Sequence, residues 1–229
     1  VLNTRGEDPI VLDAKKGTTV GTMDLGSIKG ATSSYYMTSD HKGHLVINNR
    51  VPDDGGVFRV WRMRDINSTP ELFIEFPTTD VYGDHISVWG DVYGDATVQA
   101  AYCGWTSTGS TSTLTWTVKG GQTVSMQPYW CQISGVGGWT NGDAIRMGTD
   151  ATADFLAVGY SMNKLTWVDG ATNAALNYVQ GTLTGNEGMK AIDAVPFNGL
   201  NYVAATMETF FTWGVAGGMW VMEAKYPQT

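Results

Sequence analysis

Histidine, cysteine and basic residues are all scarce in this chain, and each shortage closes a class of function. Three His and two Cys stand among 229 residues. Cys103 and Cys131 lie far apart with no His near either, which is not the spacing of a zinc centre. Lys and Arg number 14 against 22 Asp and Glu, for a net charge of -8. An acidic surface repels phosphate backbones, and no Lys/Arg cluster carries interleaved aromatics, so nucleic acid is not an expected partner. No apolar run approaches the roughly 20 residues of a membrane-crossing helix. Catalytic signatures are missing as well: there is no Gly-x-Ser-x-Gly elbow, no His-Glu-x-x-His and no Gly-rich phosphate loop ahead of a helix. On these grounds no catalytic residue, metal ligand or cofactor is expected.

Charged residues of both signs make up only 16% of the chain, where about a quarter is usual. The polar surface must therefore come from Thr, Ser, Asn, Gln and 29 Gly. That balance suits short strands and tight turns better than helices, whose exposed faces carry Lys and Glu. The chain reads as all-β. A hairpin is expected over residues 9–23, turning at Lys15-Lys16-Gly17. Sets of four strands then follow in series. The first covers 34–38, 44–48, 57–63 and 71–76, and the second 85–89, 96–102, 114–118 and 123–126. The third covers 144–147, 155–159, 164–168 and 175–179, and the last 189–192, 200–205, 210–213 and 219–222.

Two landmarks recur from set to set. A polar turn precedes each second strand, and the third strand carries a Trp, at Trp61, Trp116, Trp167 and Trp213. The Trp period of about 50 residues is that of a large propeller blade, and these four are expected to pack between blades. A four-stranded sheet cannot bury both of its faces alone, so repeats stack around an axis. The expected fold is a β-propeller, or part of one, built from repeated four-stranded antiparallel blades in a single domain over 1–229. In one arrangement the N-terminal strands complete a five-bladed ring with the C-terminal ones. Two β-sandwich domains divided near 77–83 would also give short strands at regular spacing, but leave the recurring Trp unexplained.

Most polar residues have an ordinary reading. His41 and His44 are expected in a solvated turn. Asp84, Asp91, Asp150, Asp154 and Asp193 are candidates for a glycosidase carboxylate pair, yet aspartates in turns usually bind their own backbone. Asp53-Asp54-Gly55-Gly56 lacks alternating oxygen ligands and reads as a tight turn rather than a calcium loop. Cys103 and Cys131 are either two buried thiols or one disulfide within a repeat.

The stretch Ser39-Asp40-His41-Lys42-Gly43-His44-Leu45-Val46 resembles the acidic-turn-Gly-strand opening of many bacterial propeller blades. Residues 83–91, with Asp95-Ala96-Thr97-Val98-Gln99-Ala100-Ala101 after them, resemble an uncharacterised group of propeller-like surface lipoproteins of gut Bacteroidota, often encoded among genes for glycan capture and uptake. The resemblance implies export, an outer-membrane or extracellular location and a lipid anchor. The chain opens Val1-Leu2-Asn3 without an initiator Met, and the expectation is a processed or partial chain whose anchor lies upstream.

The aromatic residues carry the functional expectation. Of 9 Trp and 10 Tyr, several sit beside Gly and small polar residues instead of in apolar runs. Trp105, Tyr129, Trp130 and Trp139 are expected in loops of the middle unit, with Asn141 and Asp143 beside them. A sugar ring offers an apolar C–H face and a rim of hydroxyls, which an aromatic plate flanked by Asn or Asp complements. The chain is therefore expected to be a non-catalytic surface protein that binds glycan through these six residues. The alternatives are a docking subunit of an outer-membrane uptake complex, using the same aromatics as anchors, and a glycoside hydrolase or lyase with a carboxylate site.

Overall fold

The computed structural model describes residues 1, 3, 7–28, 34–51, 55–78, 86–101, 111–131, 142–159, 164–172, 174–180, 187–198, 200–209 and 219–224, with only the backbone described for part of the later strands. Among these residues there is no α-helix. A hairpin of β1 (Ile10–Leu12) and β2 (Thr19–Thr22) opens the chain. The first blade is a meander of β3 (Tyr36–Ser39), β4 (Leu45–Asn48), β5 (Val57–Met63) and β6 (Glu71–Pro77). The second runs β7 (Ile86–Gly90), β8 (Ala96–Ala101), β9 (Thr111–Lys119) and β10 (Gln122–Cys131). The third is β11 (Gly142–Arg146), β12 (Phe155–Gly159), β13 (Lys164–Val168) and β14 (Ala175–Gln180). Among the described residues the fourth has three strands: β15 (Glu187–Phe197), β16 (Leu200–Thr209) and β17 (Met219–Ala224).

Strand pairing here is local and antiparallel, so each turn sets the register of its hairpin. Gly120 and Gly121, with φ of 54° and 75°, make the two-residue link between β9 and β10. Paired positive φ matches the right-handed twist of the strands it joins. Asn198, at φ 49°, turns β15 into β16. In the first three blades the outermost strand carries one bulge near its start. Phe73, Val124 and Leu176 are the residues left without a cross-strand partner.

Alternation along the strands decides which blades share a core. One face of the first blade offers Val46, Phe58, Val60 and Ile74, and the second answers with Val88, Val98, Trp116 and Val118. Phe58 stacks on Trp116 with ring centroids 5.6 Å apart, and Phe76 meets the same ring edge-on at 6.1 Å. A core held in common by these two sheets runs across the division that two sandwich domains would need. The third and fourth blades meet through Ile145, Met147, Leu156 and Leu165 against Ile192, Ala194 and Val203. The first strands lie together: β7 packs against β3, β11 and β15. This is the arrangement of a partial propeller.

Two sequence expectations are corrected. β17 hydrogen-bonds directly to β16, with Trp220 opposite Ala205. Residues 219–224 are thus the third strand of their blade and not the fourth, and Trp220 rather than Trp213 occupies the repeat position. The reason is strand length: β15 and β16 run for 11 and 10 residues, so β16 takes up residues beyond 205. Trp213 lies outside the described residues. The N-terminal strands, among the described residues, pair with each other and not with a C-terminal blade. Met23, Leu25 and Ile28, with Val11, instead cover the second face of the first blade over Leu45, Ile47, Trp61 and Met63.

Trp116 is 4% exposed and touches both blades of its seam. Trp116→Ala is expected to lower the unfolding free energy by about 3–5 kcal/mol in chemical denaturation. Leu176→Lys, at a bulge residue 55% exposed, is expected to change it by no more than about 0.5 kcal/mol.

Candidate functional site at the blade ends

The turns between first and second strands gather at one end of the blades, and their polar side chains are bound into the fold. Asp40 is buried and all its acceptor capacity is used. Its Oδ1 accepts from the backbone N–H of Lys42 at 2.8 Å and of His44 at 2.9 Å. Its Oδ2 accepts from Val92 N–H of the second blade at 2.9 Å and from His44 Nδ1 at 2.8 Å. Asp91 Oδ1 accepts from Tyr93 N–H at 2.8 Å and lies 3.4 Å from the same His44 nitrogen. One atom from each of Asp40, His44 and Asp91 falls within a 4.8 Å span, the size of a cation site. A cation would have to displace N–H donors from both Asp40 oxygens, which already hold two apiece. The triad is better built as a hydrogen-bonded latch between blades.

Arg62, on β5, reinforces that latch. Its side chain is 7% exposed, and Nη1 donates to the carbonyls of Val92 at 2.6 Å and Gly121 at 2.7 Å, both in turns of the second blade. Nη2 donates to Glu71 Oε1 at 2.7 Å, and this bond holds the Glu71 carboxyl below its usual range. The guanidinium lies 4.3 Å from the Phe73 ring centre and 4.4 Å from that of Tyr93, with Arg64 over Tyr93 at 3.9 Å. His44 meets Tyr93 edge-on at 4.8 Å. Burial, with the nearby Glu71 charge, pushes the Tyr93 hydroxyl above its usual pKa. Gly121 is required here, because a Cβ would come within 2.9 Å of the Tyr93 carbonyl oxygen.

His41 ties the same end to the other first strands. Its backbone N–H donates to Gly90 O at 3.0 Å, and its Nδ1 accepts from Gly90 N–H at 3.3 Å. That acceptor role puts the ring proton on Nε2, which is buried and makes no well-formed hydrogen bond among the described residues. The ring stands edge-on to Trp89 with centroids 4.4 Å apart. Burial lowers the His41 pKa, outweighing Asp40, the Ala194 backbone and Asp193, which favour the charged form. The sequence placed His41 and His44 in a solvated turn. Both are half-buried instead, because the neighbouring blade covers the turn.

Carboxylates singled out from the sequence are engaged in the same structural way. Asp154 accepts from Trp167 Nε1 at 3.0 Å and from Gly170 N–H at 3.2 Å. Asp150 pairs with Lys119 at 3.3 Å across the seam of the second and third blades. Asp193 accepts from the next backbone N–H at 2.8 Å. Asp84 lies outside the described residues, as do Asp53 and Asp54. Gly55 and Gly56, with φ of 69° and 79°, have the backbone of a tight turn.

The opposite end concerns the expected aromatic residues. Trp105, Trp139 and Asn141 lie outside the described residues, and so does Cys103. Tyr129 and Trp130 are corrected from loop to strand: they sit in β10, opposite Thr113 and Ser112, and Cys131 faces Thr111. The strand extends this far because β9 supplies partners down to Thr111, and as an outermost strand it tolerates Pro128. Asp143 is in β11 opposite Val158. The side chains of Tyr129, Trp130, Asp143 and Cys131 lie outside the described residues. Antiparallel register puts Ala101, Thr111, Cys131, Gly142 and Gly159 at the end of the sheets away from the turns at 91–95 and 120–121. Arg62, Tyr93 and Arg146 were not singled out in the sequence. The available signal was an Arg inside an apolar strand, as in Val60-Trp61-Arg62-Met63 and Ala144-Ile145-Arg146-Met147.

Blades packed through their first strands and latched at their turns define a partial β-propeller. Within that class, the chain belongs to the family described as "Domain of unknown function (DUF8500)", matched over residues 1–229. Two crystal structures share the fold. One is a DUF4623 family protein from Bacteroides eggerthii DSM 20697, with a TM-score of 0.57 and 16% identity over 86% of this chain and 44% of that one. The other is a protein of unknown function from Bacteroides caccae, with a TM-score of 0.50 and 10% identity over 92% of this chain and 68% of that one. The chain thus spans less than half the length of the Bacteroides eggerthii protein. No curated protein matches it.

Two outcomes follow from the latch. Arg62→Ala is expected to cost roughly 3 kcal/mol of stability, by stranding the buried carbonyls of Val92 and Gly121 and emptying the space the guanidinium fills, as read in urea unfolding. For His41 the folded pKa is the lower one, so below about pH 6.5 the unfolded chain takes up a proton that the folded chain resists. Stability is expected to fall as pH drops from 7 towards 5 (about one His equivalent), and His41→Gln is expected to flatten that slope.

Proposed function

We propose that this is an exported, non-catalytic recognition protein of the cell surface that binds glycan at the end of the blades opposite the Asp40 latch. The observation that carries the reading is the strand register. Tyr129, Trp130 and Asp143 belong to strand ends on that side, and the segments containing Trp105, Trp139 and Asn141 join those same ends. The His and Asp residues at the latch end are committed to hydrogen bonds that hold blades together, which leaves them poorly suited to acid–base work. Fold similarity to two Bacteroides proteins is consistent with the Bacteroidota resemblance of the sequence. The lipid anchor and the outer-membrane location rest on that resemblance.

Aromatic plates would stack on sugar C–H faces, with Asn141 and Asp143 fixing orientation through hydroxyl hydrogen bonds. The test is affinity electrophoresis against a panel of soluble polysaccharides, comparing wild type with a Trp105→Ala, Trp139→Ala double variant. Wild type is expected to be retarded by at least one glycan, and the variant to bind at least about tenfold more weakly with an unchanged circular dichroism spectrum. No retardation by any glycan, with co-purification of a membrane protein, would replace this reading with the docking subunit. Release of reducing ends would replace it with the hydrolase.

A further inference from the structure

The second blade turns two chemically different faces to its neighbours. Towards the first blade it presents Ile86, Val88, Val98 and Trp116. Towards the third it presents Ser87, Thr97, Gln99, Thr113, Thr115 and Thr117, all buried. Register makes the polar face continuous: Gln99 stands between Ser87 and Thr115, and Thr97 faces Thr117. Thr113, Thr115 and Thr117 alternate along β9, so their column is about 14 Å long at 3.4 Å per residue.

Part of this face is satisfied by protein. Thr97 Oγ1 donates to Gly148 O at 2.7 Å, and Thr115 Oγ1 accepts from Arg146 Nε at 3.2 Å. The rest is not. Among the described residues, neither amide atom of Gln99, which is 1% exposed, has a hydrogen-bond partner, nor do the hydroxyls of Thr113 and Thr117. A buried amide left bare in a dry interior is costly, and native interiors satisfy such groups with ordered water. Gln99 also selects the ligand. Its Oε1 needs a donor while its Nε2 needs an acceptor. A bare cation or anion answers one of these, whereas water answers both.

We propose that the seam between the second and third blades holds a cluster of buried water molecules bonded to Gln99, Thr113 and Thr117. The water is a built-in component of the fold, and it mates a polar sheet face to the third blade where the adjoining seams use apolar contact.

The test has two arms on the full chain. A crystal structure at about 1.5 Å should show ordered solvent peaks within hydrogen-bond distance, about 2.7–3.2 Å, of Gln99 Oε1 and Nε2. In urea unfolding, Gln99→Met should lower the folding equilibrium constant about tenfold or more, because it breaks bonds to bound water. Thr117→Val, nearly isosteric, should give a smaller loss in the same direction and serves if the Met variant does not fold. A seam without solvent peaks, or a Gln99→Met or Thr117→Val variant more stable than wild type, would overturn the proposal.

Discussion

One guanidinium decides how the first two blades meet. Arg62 leaves its own sheet to hold two backbone carbonyls of the next, in the turns at Val92 and Gly121. Burying a cation in this way is expensive unless it is well paired. Two carbonyls and Glu71 take its Nη1 and Nη2 donors, two aromatic rings flank it, and only Nε is left without a partner among the described residues. Arg146, fully buried in the third blade, reaches back to Thr115 of the second and also holds Ala153 O at 2.6 Å. Adjacent sheets are thus aligned by directional bonds at defined heights. Apolar faces alone would permit them to slide, since hydrophobic contact carries no register of its own.

Much of the architecture was legible because it is local. Period-two alternation and turn chemistry gave the order of strands, and β5, β12 and β13 match their sequence limits. Asp13, Asp65 and Asp169 bind backbone N–H groups two or three residues ahead, as the turn reading of aspartate requires. What was not legible is long-range. Arg62 and Gly121 are brought together only by the stacking of blades, and no spacing rule announces it. His41 and His44 were misjudged for the same reason: a turn exposed in one blade is covered by the next. In the last unit the Trp spacing points to Trp213, but two long strands move the pattern to Trp220.

The two ends of the blades are built differently. At one end, short turns, carboxylates and histidines are absorbed into holding sheets together. The other end is where the longer connections join the strands, and a rigid scaffold carrying variable loops is how many binding proteins divide stability from recognition. Fold alone does not name a ligand, and relatives at 16% and 10% identity share architecture without lending a site.

The bulges at Phe73, Val124 and Leu176 have a consequence for life at high concentration. An outermost strand with a regular row of unpaired N–H and C=O groups is a template for strands of other molecules. A single extra residue interrupts that row and twists the edge, so an incoming strand cannot keep step beyond a few residues. Three blades carry this interruption at corresponding places. Copies crowded side by side can therefore show apolar Val124 and Leu176 at their rims without zipping into a continuous sheet.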